Sequence, residues 1–241
     1  MTKNIFITAV AVLLSVALCP LWAQNVSEDC KVGEFSAINL RSVGNIIFTQ
    51  SDTYSCRMEG PFEYVDKTKV TVKGETLVIE YKQKNVKNVK NLTFYITAPD
   101  LKSVKIDGVG NFNAKETLKL KNITFKLDGV GNCEVKKLHC DELELMVDGV
   151  GNMNVNVNCN TVKAKVDGVG NIKLSGKADR ASLKRDGVGR INHKGLKCPD
   201  VALRTLSSKL CASSTTSRSA AALISPSCPR RSFMRCWVRK S

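Results

Sequence analysis

The chain has 241 residues, 43% of them hydrophobic but only 6% aromatic, and a formal net charge of +15. Apart from one N-terminal run, no apolar stretch is long enough to cross a bilayer as a helix, which excludes a helical transmembrane span. The charge does not point to nucleic acid either. Seven of the positive residues crowd into residues 206–241 with no aromatic platform, and removing them together with Lys3 leaves about +7 for residues 24–205.

Residues 1–23 carry Lys3, an apolar run from Ile5 to Leu18, and Leu21-Trp22-Ala23 ahead of Gln24. This is the pattern of a cleaved secretory signal, with its cut between Ala23 and Gln24, so the product is expected in the periplasm, at the cell surface or secreted. Cys19 does not suit lipid attachment, because bulky Leu18 precedes it and Pro20 follows.

Residues 24–100 are expected to form an N-terminal coil and a capping hairpin. Leu40-Arg41-Ser42-Val43-Gly44-Asn45 is a worn copy of a pentapeptide that dominates the later sequence. Val70 to Tyr81 alternates about Gly74 and predicts a hairpin; a polar insert, Lys82 to Lys90, follows, and Asn91 to Thr97 returns as a strand. The block reads as an elaborated first coil or as a cap over an exposed sheet end.

Residues 101–205 hold the pentapeptide itself. Asp-Gly-Val-Gly-Asn begins at Asp107, Asp128, Asp148 and Asp167 and recurs with a changed last residue at Asp186, at spacings of 21, 20, 19 and 19 residues. Counted from each Asp, apolar residues recur at −3 (Val104, Phe125, Leu145, Ala164, Leu183), at −1, at +2 (Val109, Val130, Val150, Val169, Val188), at +5 and at +7. This alternation has the period of a strand, and the columns are expected to face a core. Two glycines per repeat exclude a helix. At ~3.3 Å per residue, about twenty residues complete one coil of a three-sided path. The expected fold class is therefore all-β: a right-handed parallel β-helix or solenoid with an N-terminal hairpin cap, in which equal positions stack about 4.8 Å apart as ladders.

The worn Val-Gly-Asn corner, the lead-in Ala98-Pro99-Asp100-Leu101-Lys102-Ser103-Val104 and the serial Gly-Val-Gly-Asn corners together resemble the head GIN domain of auto-transporter adhesins, over Glu34 to Thr205. The resemblance implies a β-helical, adhesin-like envelope protein and brings no catalytic site with it. The C-terminus departs from that pattern. Cys198 to Thr205 aligns with Cys140 to Val147 and Cys159 to Val166, so a further Asp-Gly-Val-Gly is due at position 206, where Leu206-Ser207-Ser208-Lys209 stands. From Leu206 to Ser241 there is no Asp, Glu, Gly or Asn. A frame change in the coding sequence near Thr205 accounts for this, and further Gly-Val-Gly-Asn corners in another reading frame are its test.

Three sets of residues are candidates for function. The carboxylates of Asp107, Asp128, Asp148, Asp167 and Asp186 form a ladder suited to a row of calcium ions. With Lys105, Lys126, Met146, Lys165 and Lys184 at −2 beside them, local pairing and capping of the corner N–H groups explain them without a metal. The same lysines, Lys105, Lys126, Lys165 and Lys184, are candidates for contact with a surface polymer. Cys140 and Cys159 fall at −8 of consecutive coils, within disulfide reach or as small core residues; Cys30 and Cys56 are a second candidate pair, and Cys133 reads as an inert core thiol. Asn111, Asn132, Asn152 and Asn171 are expected to stack as amides.

With acids spread one per coil, histidine only at His139 and His193, and no nucleophile, phosphate loop or cofactor fingerprint, the sequence predicts no enzyme and no cofactor. The two function classes it leaves are a binding module for a surface glycan or envelope component, and a structural role with end-to-end self-association. A polysaccharide-active enzyme on the same scaffold is a weaker alternative.

Overall fold

The computed structural model describes residues 25–83 and 92–205. The signal segment, the core of the polar insert (84–91) and the tail from Leu206 lie outside the described residues. The described chain runs β1 (Asn25–Cys30), β2 (Ala37–Leu40), β3 (Gly44–Gln50), β4 (Ser55–Pro61), the helical turn α1 (Phe62–Lys67), β5 (Thr68–Lys73), β6 (Thr76–Tyr81) and β7 (Leu92–Ala98). The repeats follow as β8 (Ser103–Ile106), β9 (Val109–Lys119), β10 (Asn122–Leu127), β11 (Val130–Val147), β12 (Val150–Val166), β13 (Val169–Arg185), β14 (Val188–Lys197) and β15 (Asp200–Thr205).

These strands make a β-solenoid of stacked parallel coils. Val130 lies opposite Val109 and Val150, Asn132 opposite Asn111 and Asn152, and the pairing continues residue by residue through β13 and β14. The Asp-Gly bend, a break in pairing at Asp141 and Asn160 and, between all these coils except β12 and β13, a register shift after Val135 or Lys173 divide the coils into three runs. At the bend both leading N–H groups reach one carbonyl of the coil beneath. Asp128 N and Gly129 N donate to Ile106 O at 2.9 and 2.8 Å, and the next coil repeats this from Asp148 and Gly149 to Leu127 O. Buried peptide donors are thus satisfied by translation along the stack.

The pentapeptide glycines are required by this stacking. A Cβ built on Gly131 would stand 1.7 Å from the carbonyl oxygen of Gly110 directly beneath it, and the same contact recurs between Gly151 and Gly131. No side chain fits there, whatever its polarity.

Side chains at −3, −1, +5 and +7 line the interior, except in the last coil, where Arg185 at −1 is exposed and Ile191 and His193 are half-buried. Phe112 lies 6.1 Å from Phe48 and 5.4 Å from Phe125 between ring centroids, all three fully buried, so the widest part of the core sits in the first coils. Toward the C-terminus smaller residues such as Ala164, Ala178 and Ala181 take over.

The N-terminal block is both of the things its sequence allows. β2 and β3 form a true coil: Ile38 pairs with Val104, Leu40 with Ile106 and Ile46 with Phe112. β6 and β7 form another coil on its far side, with Leu77 beside Ile38 and Phe94 beside Ile46. The chain therefore lays down its second level first, then the terminal coil, and only then returns to the other side for the repeats. Antiparallel strands finish the end, β5 along β6, and β4 then β1 along β7. The β5–β6 hairpin turns at Gly74, whose φ of 63° is left-handed. The turn α1 was not foreseen; Tyr64 and Val65 tuck beneath it and Thr68 Oγ1 donates to Tyr64 O at 2.7 Å. At the opposite end, β15 pairs with β13 in the predicted register, Leu203 beside Leu183, and among the described residues no strand covers the outer edges of β14 and β15.

Candidate functional site

The bend of each coil carries four outward ladders side by side: Lys at −2, Asp at 0, Val at +2 and Asn at +4. The valine ladder corrects the expectation that position +2 faces the core. Val109, Val130, Val150 and Val169 are 46–51% exposed and Val188 is 73% exposed. Strict alternation explains it. If −3 and −1 point inward, so do +1 and +3, which are the two glycines, while Asp, Val and Asn share the outward phase.

The aspartates are held by lysines. Lys105 Nζ lies 2.7 Å from Asp107 and 3.0 Å from Asp128; Lys126 lies 3.0 Å from Asp128 and 3.2 Å from Asp148; Lys165 pairs with Asp167, and Lys184 with Asp186 at 2.7 Å. Each of the first two lysines therefore clips one coil to the next. Met146 interrupts the lysine column between them and Lys165. At the N-terminal end Arg41 stands in the Asp column and contacts Asp107 at 3.7 Å and Glu80 at 3.8 Å, so alternating charge continues into the terminal coil. The corner N–H groups go to carbonyls of the coil beneath. Turn capping is therefore supplied by the stack, and the carboxylates face lysine. Among the described residues no group of three or more potential metal-ligating side chains converges.

Electrostatics follow from this pairing. Partial burial raises the Asp128 carboxyl, but Lys105 and Lys126 together outweigh it and hold its pKa below the usual range. Lys105 and Lys126 are raised by their aspartates. The carboxylate contributes stability above its ordinary pKa near 3.9 and loses it as pH falls through the lowered value; the lysines contribute below about 10.4 and lose it as pH rises through the raised values. Denaturant midpoints are therefore expected to be flat across that window and to fall at both ends. Asp128→Asn should flatten part of the acid limb and cost up to about 1 kcal/mol near neutrality, since the pairs are largely solvated.

The amide ladder is continuous. Asn111 Nδ2 donates to Asn45 Oδ1 at 2.8 Å, and Asn132, Asn152 and Asn171 each donate to the asparagine below at 3.0, 3.2 and 3.0 Å. Both cysteine pairs singled out from the sequence meet: Cys140 lies in register with Cys159, and Cys30 with Cys56 across β1 and β4. Cys133 is buried, and burial pushes its thiol pKa up. His139 and His193 are far apart in the stack, in different coils, and join no acid cluster among the described residues.

The family described as "Putative auto-transporter adhesin, head GIN domain" matches residues 34–210. The chain belongs to this head GIN family. Among solved structures, a "putative adhesin" from Bacteroides fragilis is 26% identical, with a TM-score of 0.56, over 76% of this chain and 97% of that one. A "putative adhesin" from Parabacteroides merdae and a "putative lipid binding protein" from Parabacteroides distasonis, each 20% identical, give TM-scores of 0.68 and 0.69 over 76% of this chain and 78% of theirs, a likeness of fold. No curated protein matches the sequence. This head GIN chain is thus an adhesin-like β-helical module, and its family and the Bacteroides fragilis neighbour are described as putative adhesins. Among its described residues no helix is long and apolar enough to span a membrane.

Proposed function

We propose that this domain is a non-catalytic module, exported and exposed at the cell surface or envelope, that binds a repetitive surface glycan along its ladder-bearing corner. The observation that carries the reading is the exposed valine stripe, repeated once per coil between an ion-paired ladder and an amide ladder. Apolar side chains in water gain from being covered, and a stripe rimmed by polar groups suits a partner that alternates C–H faces with hydroxyls. Because Lys105, Lys126, Lys165 and Lys184 are each paired, the corner is locally neutral. Paired lysines favour a neutral or weakly charged polymer over an anionic one.

The test is binding of the exported chain to immobilised envelope polysaccharide, with release of reducing ends followed in parallel. Replacing Val130 and Val150 together by Thr, which keeps the branched shape a strand favours and adds no charge to the stacked pair, is expected to weaken binding about tenfold with a stability change within about 1 kcal/mol. Unchanged binding by that variant overturns the reading. Calcium-dependent binding would restore the Asp ladder as a metal site, and turnover would restore the enzyme alternative. A second reading, assembly through the solenoid end, is favoured by the outer edges of β14 and β15, where Leu203 is exposed. Concentration-dependent end-to-end association in sedimentation, without glycan binding, would support it.

A further inference from the structure

The two cysteine pairs are reactive side chains that the ladder-bearing corner does not use. Cys30 closes β1 directly opposite Cys56 in an antiparallel pair, and Cys140 and Cys159 are parallel neighbours on consecutive coils. Directly opposed residues have Cα atoms about 4.5–5.5 Å apart in antiparallel pairs, and parallel strands lie about 4.8 Å apart. Both separations fall within the ~4.4–6.8 Å that a disulfide spans. In-register neighbours present their side chains on the same face, so the two thiols of each pair share a side, and Cys159 Sγ donates to Thr161 O at 3.5 Å. Among the described residues neither pair has a competing cysteine: Cys140 is flanked in its column by Leu120 below and by Cys159 above, and beyond Cys159 comes Ala178. Cys133 stacks between Phe112 and Met153.

Access differs from that of an ordinary core thiol. Cys140 and Cys159 lie at the floor of an open groove of about 570 Å³, walled by Lys119, His139, Asn158 and Asn160, and Cys30 is partly exposed at the end of β1. All four groups are thiols in the structure.

We propose that both pairs are oxidised to cross-strand disulfides by exchange with a small-molecule or protein disulfide, Cys30–Cys56 fastening the edge strand β1 to the cap and Cys140–Cys159 fastening one coil to the next. In each pair the partner thiol is the largest influence on ionisation, lowering Cys159 and Cys30 and raising Cys140 and Cys56. The Cys159 thiolate attacks one sulfur of the oxidant and expels the other as a thiolate. Cys140 then loses its proton and attacks the Cys159 sulfur of the mixed disulfide, expelling the second thiolate. Two protein thiols give up two electrons and two protons, and the oxidant's disulfide becomes two thiols. The same sequence at Cys30 and Cys56 closes a loop across the cap, which restricts the unfolded chain as well as fixing β1.

The test treats the full chain with glutathione disulfide in a glutathione buffer and maps it by mass spectrometry without reduction, after cleavage before aspartate, which separates Cys30 from Cys56 and Cys140 from Cys159. The expected result is two linked peptides, each lost on reduction, with fragmentation of the second placing its link on Cys140 and leaving Cys133, which shares the peptide Asp128–Cys140, a thiol. The first link should vanish in Cys56→Ser and the second in Cys159→Ser. A pair that stays as two thiols, or stops at a glutathione adduct while the strand spectrum is intact, overturns the assignment for that pair. The wild-type map is decisive even if a serine variant fails to fold. The result is independent of what the corner binds.

Discussion

Gly131→Ala is expected to lower the unfolding free energy by about 3–5 kcal/mol, among the largest effects of any single methyl group in the molecule. The added carbon would meet the Gly110 carbonyl oxygen at 1.7 Å, and that oxygen belongs to backbone fixed on both sides by ladder pairing. Relief requires neighbouring coils to separate locally, which breaks hydrogen bonds above and below. Gly33→Ala is the control, because nothing lies within 4 Å of its added carbon, and it should change stability by no more than about 0.5 kcal/mol. Urea melts of both variants decide the matter, and equal midpoints would refute the account of the repeat glycines as stacking positions.

Phe112→Ala is expected to cost about 3–5 kcal/mol. Its ring is fully buried between Phe48 from the N-terminal coil and Phe125 from the second repeat, so truncation opens a cavity where two blocks of the chain interlock. The loss should appear as earlier unfolding of the β2–β3 coil together with the cap, since that coil holds the cap to the repeats. Hydrogen exchange resolves this: amides of β3 and β7 should lose protection before those of β12 and β13. Phe62→Ala, at an exposed position, should leave the melt nearly unchanged. Uniform loss of protection along the stack would instead mean that the solenoid unfolds as one unit.

The corner was partly legible in the sequence. The Asp and Asn columns and the register of Cys140 with Cys159 follow from spacing alone, because in-register stacking turns a sequence interval of about twenty residues into a vertical neighbour; Cys30 and Cys56 meet instead across antiparallel edge strands that the repeat does not encode. Hydrophobicity alone sends the valine column inward, whereas strand phase sends it outward. Its parity with Asp and Asn was present in the pentapeptide, and the glycines were the inward residues in disguise. The neutralised lysines were foreseen as one option, but that Lys105 and Lys126 each bridge two coils depends on side-chain reach across the stack. Turn capping by aspartate failed for a related reason: carbonyls of the neighbouring coil, absent from any single-repeat view, already occupy those donors.

By itself the sequence determined the all-β solenoid, the register of its repeats and the membership of Leu40 to Asn45 in the same scheme. Each of these is a translation along one axis, and translation is written as period. Only the tertiary structure decided the order of the first levels, with β2 and β3 lying between the β6–β7 coil and the first repeat. Either edge of a lone coil accepts a parallel strand equally well, and which edge the returning chain takes depends on where the cap strands and the aromatic core come to rest.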